Sequence, residues 1–279
     1  MKRIQFFLTV NEGKWLIAEA VSRMAPVRQA LEKGSVVFKG GTTVSCVSEL
    51  ITGTALRVSG RNTPNGAKSA KTLESSIHTL LWKDGKAQSL DDSVIDGLLE
   101  LKADDVLIIG ANIIDSDGNA ALLAGSPAGA TPGRALSTMT TEGFNVIIAA
   151  GLEKLVPGKV GDSVRSAGRK GVSSAYGMAC GLLPLFGKVV TELEAVRILS
   201  DVEVSVIGRG GVLGAEGGVL LQASGEDEQI LILESIVQRC KGKHLSGDPA
   251  SLIECEVPSP GCKTHLSCCY REMKGERKQ

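Results

Sequence analysis

The sequence predicts an α/β protein, with a mainly parallel open sheet carrying helices on both faces and a small α+β module added to it. Three observations carry the prediction. The runs Ser35–Lys39, Asp104–Gly110 and Phe144–Ala150 carry continuous apolar stretches (Val36–Phe38, Val106–Ile109 and Val146–Ala150) rather than alternation, as strands buried on both faces do. The first leaves through Gly40-Gly41-Thr42-Thr43 into a helical pattern of Val44, Val47, Leu50 and Ile51, the order of a strand feeding a crossover helix. After a composition shift near Pro184 the pattern changes. Val202, Val204 and Val206 alternate with Glu203 and Ser205, the period of a half-exposed strand. The chain is therefore read as an α/β core over 1–188, an α+β module over 189–243 and a Cys-rich tail over 244–279.

Taken in order, 11–33 reads as one or two helices. Ile17, Ala20, Val21 and Met24 share a face, Pro26 restarts the chain, and Gly34 stops it. The polar stretch from Asn62 to Asp92 reads as an excursion, with one short helix or strand near Thr79–Trp82. A helix over Ser93–Lys102 precedes the second strand, and Ser116-Asp117-Gly118-Asn119 is a strong turn signal. Thr131 and Pro132 suit the opening of a helix, and 156–161 reads as a loop. The module reads helix Glu192–Leu199, strand Val202–Ile207, a Gly-rich turn, strand Gly218–Ala223 and helix Glu226–Cys240. Lys274 to Gln279 are expected to be disordered.

Composition removes several functional classes. The chain has 34 Gly but only 5 Phe, 2 Trp and 2 Tyr, which argues against an aromatic platform for stacking bases. With 31 basic and 31 acidic residues, no net field draws it to nucleic acid or an anionic membrane. No apolar run approaches the roughly 18–20 residues that span a bilayer, and Phe6-Phe7-Leu8 is too short for a secretory segment. The expectation is a cytoplasmic protein with no nucleic-acid or membrane partner. Cys46, Cys180 and Cys240 are scattered, as reduced thiols are rather than a secreted disulfide framework.

Three separated motifs resemble a known superfamily. They are Gly34–Thr43, then Gly110-Ala111-Asn112-Ile113-Ile114-Asp115 with Gly125-Ser126-Pro127-Ala128-Gly129-Ala130, and Phe144–Val156 with Lys154 near its end. Their order and spacing resemble those of ribose-5-phosphate isomerase, glucosamine-phosphate deaminase, the CoA transferases and methylthioribose-phosphate isomerase, over roughly residues 10–165. The resemblance implies a phosphorylated small molecule or a CoA-type ligand, and isomerase or transferase chemistry. It names no cofactor. The departures bear on that chemistry. Where the isomerase loop carries two acidic residues, this chain has Ile109 and Asn112, and the Lys that follows corresponds best to Ala124. Ile and Ala cannot exchange protons and Asn only hydrogen-bonds, so ordinary ribose-5-phosphate isomerisation, which needs a base, is not expected. A non-catalytic, regulatory or ligand-binding member is the alternative.

The expected site follows. Gly40, Gly41, Thr42 and Thr43 enter a helix N-terminus, where unpaired N–H groups suit an anion. Asn112 and Asp115 follow a strand end, where open α/β sheets place ligands, and are read as orienting substrate, with Lys154 as a third catalytic candidate. Ser126, Gly129 and Thr131 would line the same crevice, with Arg134 in reach of a phosphate. In each case a turn, a cap or a solvated side chain explains the residue equally well. The turn Gly208–Gly218 contains G-x-G-G-x-x-G but joins strand to strand, so a dinucleotide site is rejected. It is read as a flap or as a contact of a homo-oligomer. Cys255, Cys262, His265 and Cys268 have ligand types and spacings that a structural zinc ion could use, and a metal- or redox-linked tail is a third reading.

Overall fold

The computed structural model describes residues 1–72 and 76–272. The expectation for 274–279, and residues 73–75 of the polar excursion, lie outside this range.

The N-terminal half runs β1 (Lys2–Leu8), α1 (Val10–Arg23), α2 (Ala25–Lys33), β2 (Ser35–Lys39) and α3 (Thr42–Thr52). The hairpins β3 (Gly60–Thr63) with β4 (Gly66–Ser69) and β5 (Thr79–Lys83) with β6 (Lys86–Ser89) follow. Next come α4 (Val94–Leu99), β7 (Val106–Gly110), β8 (Ile113–Ile114), β9 (Ala120–Ala124), α5 (Ala130–Arg134), α6 (Leu136–Thr141), β10 (Asn145–Ala149) and α7 (Val160–Ser166). The chain continues through β11 (Gly181–Leu185), β12 (Lys188–Val190), α8 (Glu192–Leu199), β13 (Val202–Gly210), β14 (Gly218–Gly225) and α9 (Asp227–Cys240). Short turns of helix at Pro249–Leu252 and Cys269–Glu272 lie in the tail.

The protein is of mixed α/β type. Its largest sheet has six strands in the order β12-β10-β7-β2-β5-β6. β12, β10, β7 and β2 are parallel, while β5 and β6 are antiparallel additions at one edge. Thus the Thr79–Trp82 segment, read from sequence as a minor feature of an excursion, is a full strand of the central sheet. Successive residues of the parallel strands go to opposite packing clusters. Val36, Phe38, Val106 and Ile108 join α1, α3 and α9 in one, and Val37, Leu107 and Ile109 join α4 and α6 in the other. This two-sided burial is why the runs are apolar without alternation.

A three-stranded antiparallel sheet, β1-β14-β13, forms beside it. Its central strand pairs with the N-terminal strand, Phe6 opposite Leu221, so the 189–243 segment and the first eight residues build one sheet. Helix α1 lies against both sheets, which explains why residues 13–18 are all buried. It starts with a capping box: Thr9 Oγ1 accepts the N–H of Glu12, and Glu12 accepts the N–H of Thr9 at 2.9 Å. A Cβ at Gly13 would stand 2.4 Å from a carboxylate oxygen of Glu192, so glycine there lets α1 and α8 close on one another. Alternation in β13 appears as expected, with Val202, Val204 and Val206 packed inward and Glu203 and Ser205 exposed. The 156–161 segment is not loop throughout, since Val160 begins α7.

Candidate functional site

Parallel pairing brings the C-terminal ends of β2, β7 and β10 to one edge of the sheet, and the start of β5 to the same edge. Two neighbouring cavities open there. The larger, about 590 Å³, is lined by Gly40, Gly41, Thr42, Thr43, Asn112, Gly129 and Lys154 among the expected residues. The other, about 470 Å³, is lined by Ser126, Gly129 and Thr131. Lys39, Ser59, His78, Gly129 and Met178 border both, so the two are adjoining parts of one cleft.

Helix α3 begins at this cleft. Its cap, Gly41, has no side-chain hydrogen bond to the first turn, and a Cβ there would meet nothing within 4 Å. The first N–H groups of the helix are therefore free to meet a ligand. Thr43 is 2% exposed and its buried Oγ1 has no hydrogen-bond partner among the described residues. Gly40 is constrained differently: a Cβ would stand 2.6 Å from the carbonyl oxygens of Arg57 and His78.

Three lysines and an arginine, Lys14, Lys39, Lys154 and Arg61, line the larger cavity, against the single carboxylate of Glu153. Lys154 Nζ stands 3.7 Å from Glu153 Oε1, while Glu153 Oε2 is buried with no hydrogen-bond partner among the described residues. Burial, reinforced by the charge of Lys154, holds the Lys14 ammonium below the usual lysine range. Behind them Glu192 is buried, with Oε2 accepting the N–H of Leu152 at 2.7 Å. Burial and then the nearby Glu153 raise its carboxyl to about 7.

Lys39 and His78 were not singled out by sequence. Lys39 is the last residue of β2 and is 6% exposed, and burial pushes its ammonium down to about 7. The charge of Asp91 opposes that shift only partly. That carboxylate is engaged by the N–H groups of His78 and Thr79 and by the Arg57 guanidinium at 3.1 Å. His78 Nδ1 lies 2.7 Å from the carbonyl oxygen of Arg57, so this nitrogen carries a proton and donates it. Burial, and next the charge of Lys39, push the imidazole down to about 3, and it stays neutral at physiological pH. The visible signal for Lys39 was a lone lysine closing an apolar strand immediately before Gly40-Gly41. His78 had no such signal.

The remaining expected residues lie elsewhere. Asn112 lines the cavity, but its Oδ1 accepts the N–H of Leu123 at 2.9 Å and braces the loop. Asp115 lines neither cavity. It is 7% exposed, and its carboxylate accepts the N–H groups of Asp117, Asn119 and Val160 and the Asn119 amide. A carboxylate so enclosed organises a turn and is not available to orient substrate. Arg134 is exposed and lines neither cavity. Cys255, Cys262, His265 and Cys268 border one very small cavity beside Lys68, and His265 also lines the cleft. Among the described residues, no three His, Cys, Asp or Glu side chains are grouped so as to hold a metal ion. Cys262 Sγ instead accepts the N–H of Ser259 at 3.3 Å. All seven cysteines are free. Among the described residues, no helix is long and apolar enough to cross a membrane.

No protein-family model, no curated protein and no solved structure matches this chain.

Proposed function

We propose that the cleft binds a phosphorylated sugar-like or CoA-type small molecule, in a divergent member of the isomerase, deaminase and CoA-transferase superfamily that the three motifs resemble. The observation that carries this is that one cavity is lined by the start of α3, whose cap makes no side-chain hydrogen bond, by the Thr43 hydroxyl, unpartnered among the described residues, and by Lys14, Arg61 and Lys154. Helix N–H groups and cationic side chains lining one cavity are the chemistry of phosphate recognition. On this reading the fold is an open, mainly parallel sheet with helices on both faces and an antiparallel edge, and the protein works in the cytoplasm.

An isomerase or transferase here would not use the second-loop acidic pair, since Ile109 and Asn112 occupy those positions. The ionisable side chains that line the cavity include Glu153, Lys39, Lys14, Lys154 and His78. The fixed Asn112 side chain also favours the second reading, a non-catalytic ligand-binding member. Thermal shifts with sugar phosphates and CoA esters test the site, because a ligand bound only to the native state raises the melting temperature. A shift that the unphosphorylated sugar does not give supports it, and turnover then separates enzyme from binder. No shift with any phosphorylated compound overturns the proposal.

A further inference from the structure

The geometry points to Lys39 as an amine that condenses with a carbonyl group of the bound anion, which makes the ligand class a phosphorylated aldehyde or ketone. This rests on the cleft being an anion site, and it adds which atom of the protein reacts.

Lys39 is a lysine 6% exposed at the junction of the two cavities. Its ammonium has no hydrogen-bond partner among the described residues. The carboxylate that acts on it most, Asp91, is already engaged by two backbone N–H groups and Arg57. The side chain also borders an apolar pocket walled by Val37, Leu107, Ile109 and Met139. A buried cation without a partner costs several kcal/mol, so a lysine there is held toward its neutral form. A neutral amine facing a cavity is a nucleophile for carbonyl carbon. The anion-binding backbone begins two residues later in the chain, so phosphate and carbonyl can be addressed by one short loop. The other lysines of the cavity differ: Lys154 faces Glu153, and Lys14 lies near Glu153 and Glu192.

The step balances without an external oxidant or reductant. The Lys39 nitrogen attacks the carbonyl carbon to give a carbinolamine. The carbonyl oxygen then departs as water with the two protons of the amine, leaving a neutral imine.

Pyridoxal 5′-phosphate serves as the probe, since it carries both an aldehyde and a phosphate. The full chain is incubated with it near neutral pH, reduced with sodium cyanoborohydride, which delivers hydride to the imine, and mapped by peptide mass spectrometry. The expected result is a saturable single label on Lys39, lost in K39R and protected by inorganic phosphate. Pyridoxal, lacking the phosphate, should label this residue about tenfold more slowly, the factor that a contact of roughly 1.4 kcal/mol supplies. Labelling in the wild-type chain is mapped directly, so the result does not depend on the variant folding. A phosphate-competed thermal shift by the probe, with label absent from Lys39 or spread over other lysines, overturns the amine role while leaving the binding site standing. Neither a shift nor protected labelling overturns both.

Discussion

The carboxylate of Asp115 accepts the backbone N–H of Val160 at 2.9 Å, tying the turn after β8 to the first residue of α7. With Asp117 and Asn119 bound to the same carboxylate, the aspartate fixes the turn between β8 and β9.

Asp115→Asn should therefore destabilise the fold, by about 2 kcal/mol given the usual worth of hydrogen bonds to a charged group. Burial opposes the charged form, but the N–H of Val160 and the donors of Asn119 and Asp117 outweigh it and lower the carboxyl pKa. Such a group stabilises the native state at pH above its unfolded value and loses that contribution as pH falls through its folded value. Acid unfolding of the variant, followed by circular dichroism, should lack this contribution. Wild-type stability in D115N, with ligand binding abolished, would show that the aspartate acts on substrate after all.

Gly40 and Gly41 should part company. Gly40→Ala places a methyl 2.6 Å from two backbone carbonyl oxygens and should cost about 1–3 kcal/mol, as overpacking does. Gly41→Ala meets nothing within 4 Å, and at φ 174 the backbone suits any residue. Its denaturant midpoint should stay near wild type, while its methyl enters the space where the anion approaches the helix. Equal destabilisation of the two variants would contradict the placement of Gly41 at an open cavity wall.

Glu192 supplies a pH test of opposite sign. Its carboxyl is raised to about 7 in the fold, so between its unfolded value and 7 the native state holds the extra proton. Stability from this group is present at acid pH and falls as pH rises toward and through 7. Glu192→Gln removes the titration and leaves an oxygen for the N–H of Leu152. The variant should gain stability relative to wild type between pH 5 and 8, on the order of 2–3 kcal/mol for a shift of this size. An unchanged difference across that range would mean that Glu192 is charged throughout.

Much of this architecture was legible locally. Gly40-Gly41-Thr42-Thr43 announced a strand-to-helix turn because continuous apolar residues and a glycine pair each have one easy reading there. The Val202–Val206 alternation announced a half-exposed strand, and the Gly208–Gly218 turn joins strand to strand as its flanking patterns announced. What failed was non-local. β1 begins with Lys2 and Arg3 and is only partly buried, and its partner β14 starts at Gly218, so nothing nearby marks it as a strand. β5 reads as part of a polar excursion until it pairs with β2, which sets Thr79 opposite Lys39 and His78 beside it. The basic lining of the cavity has the same origin, since Lys14, Lys39, Arg61 and Lys154 come from four separate segments. Asp115 illustrates the converse: an acidic residue after a strand suits a site or a turn equally well, and only its four donors decide.

The most direct test of the anion cleft is an amide NMR titration of the full chain with ribose 5-phosphate, with ribose as the control. The account predicts saturable shifts for the phosphate ester, largest at the amides of Gly41, Thr42 and Thr43, and none of that pattern for ribose. Shifts scattered over exposed lysine-bearing surfaces, or an unchanged α3 N-terminus at saturating ligand, would contradict it.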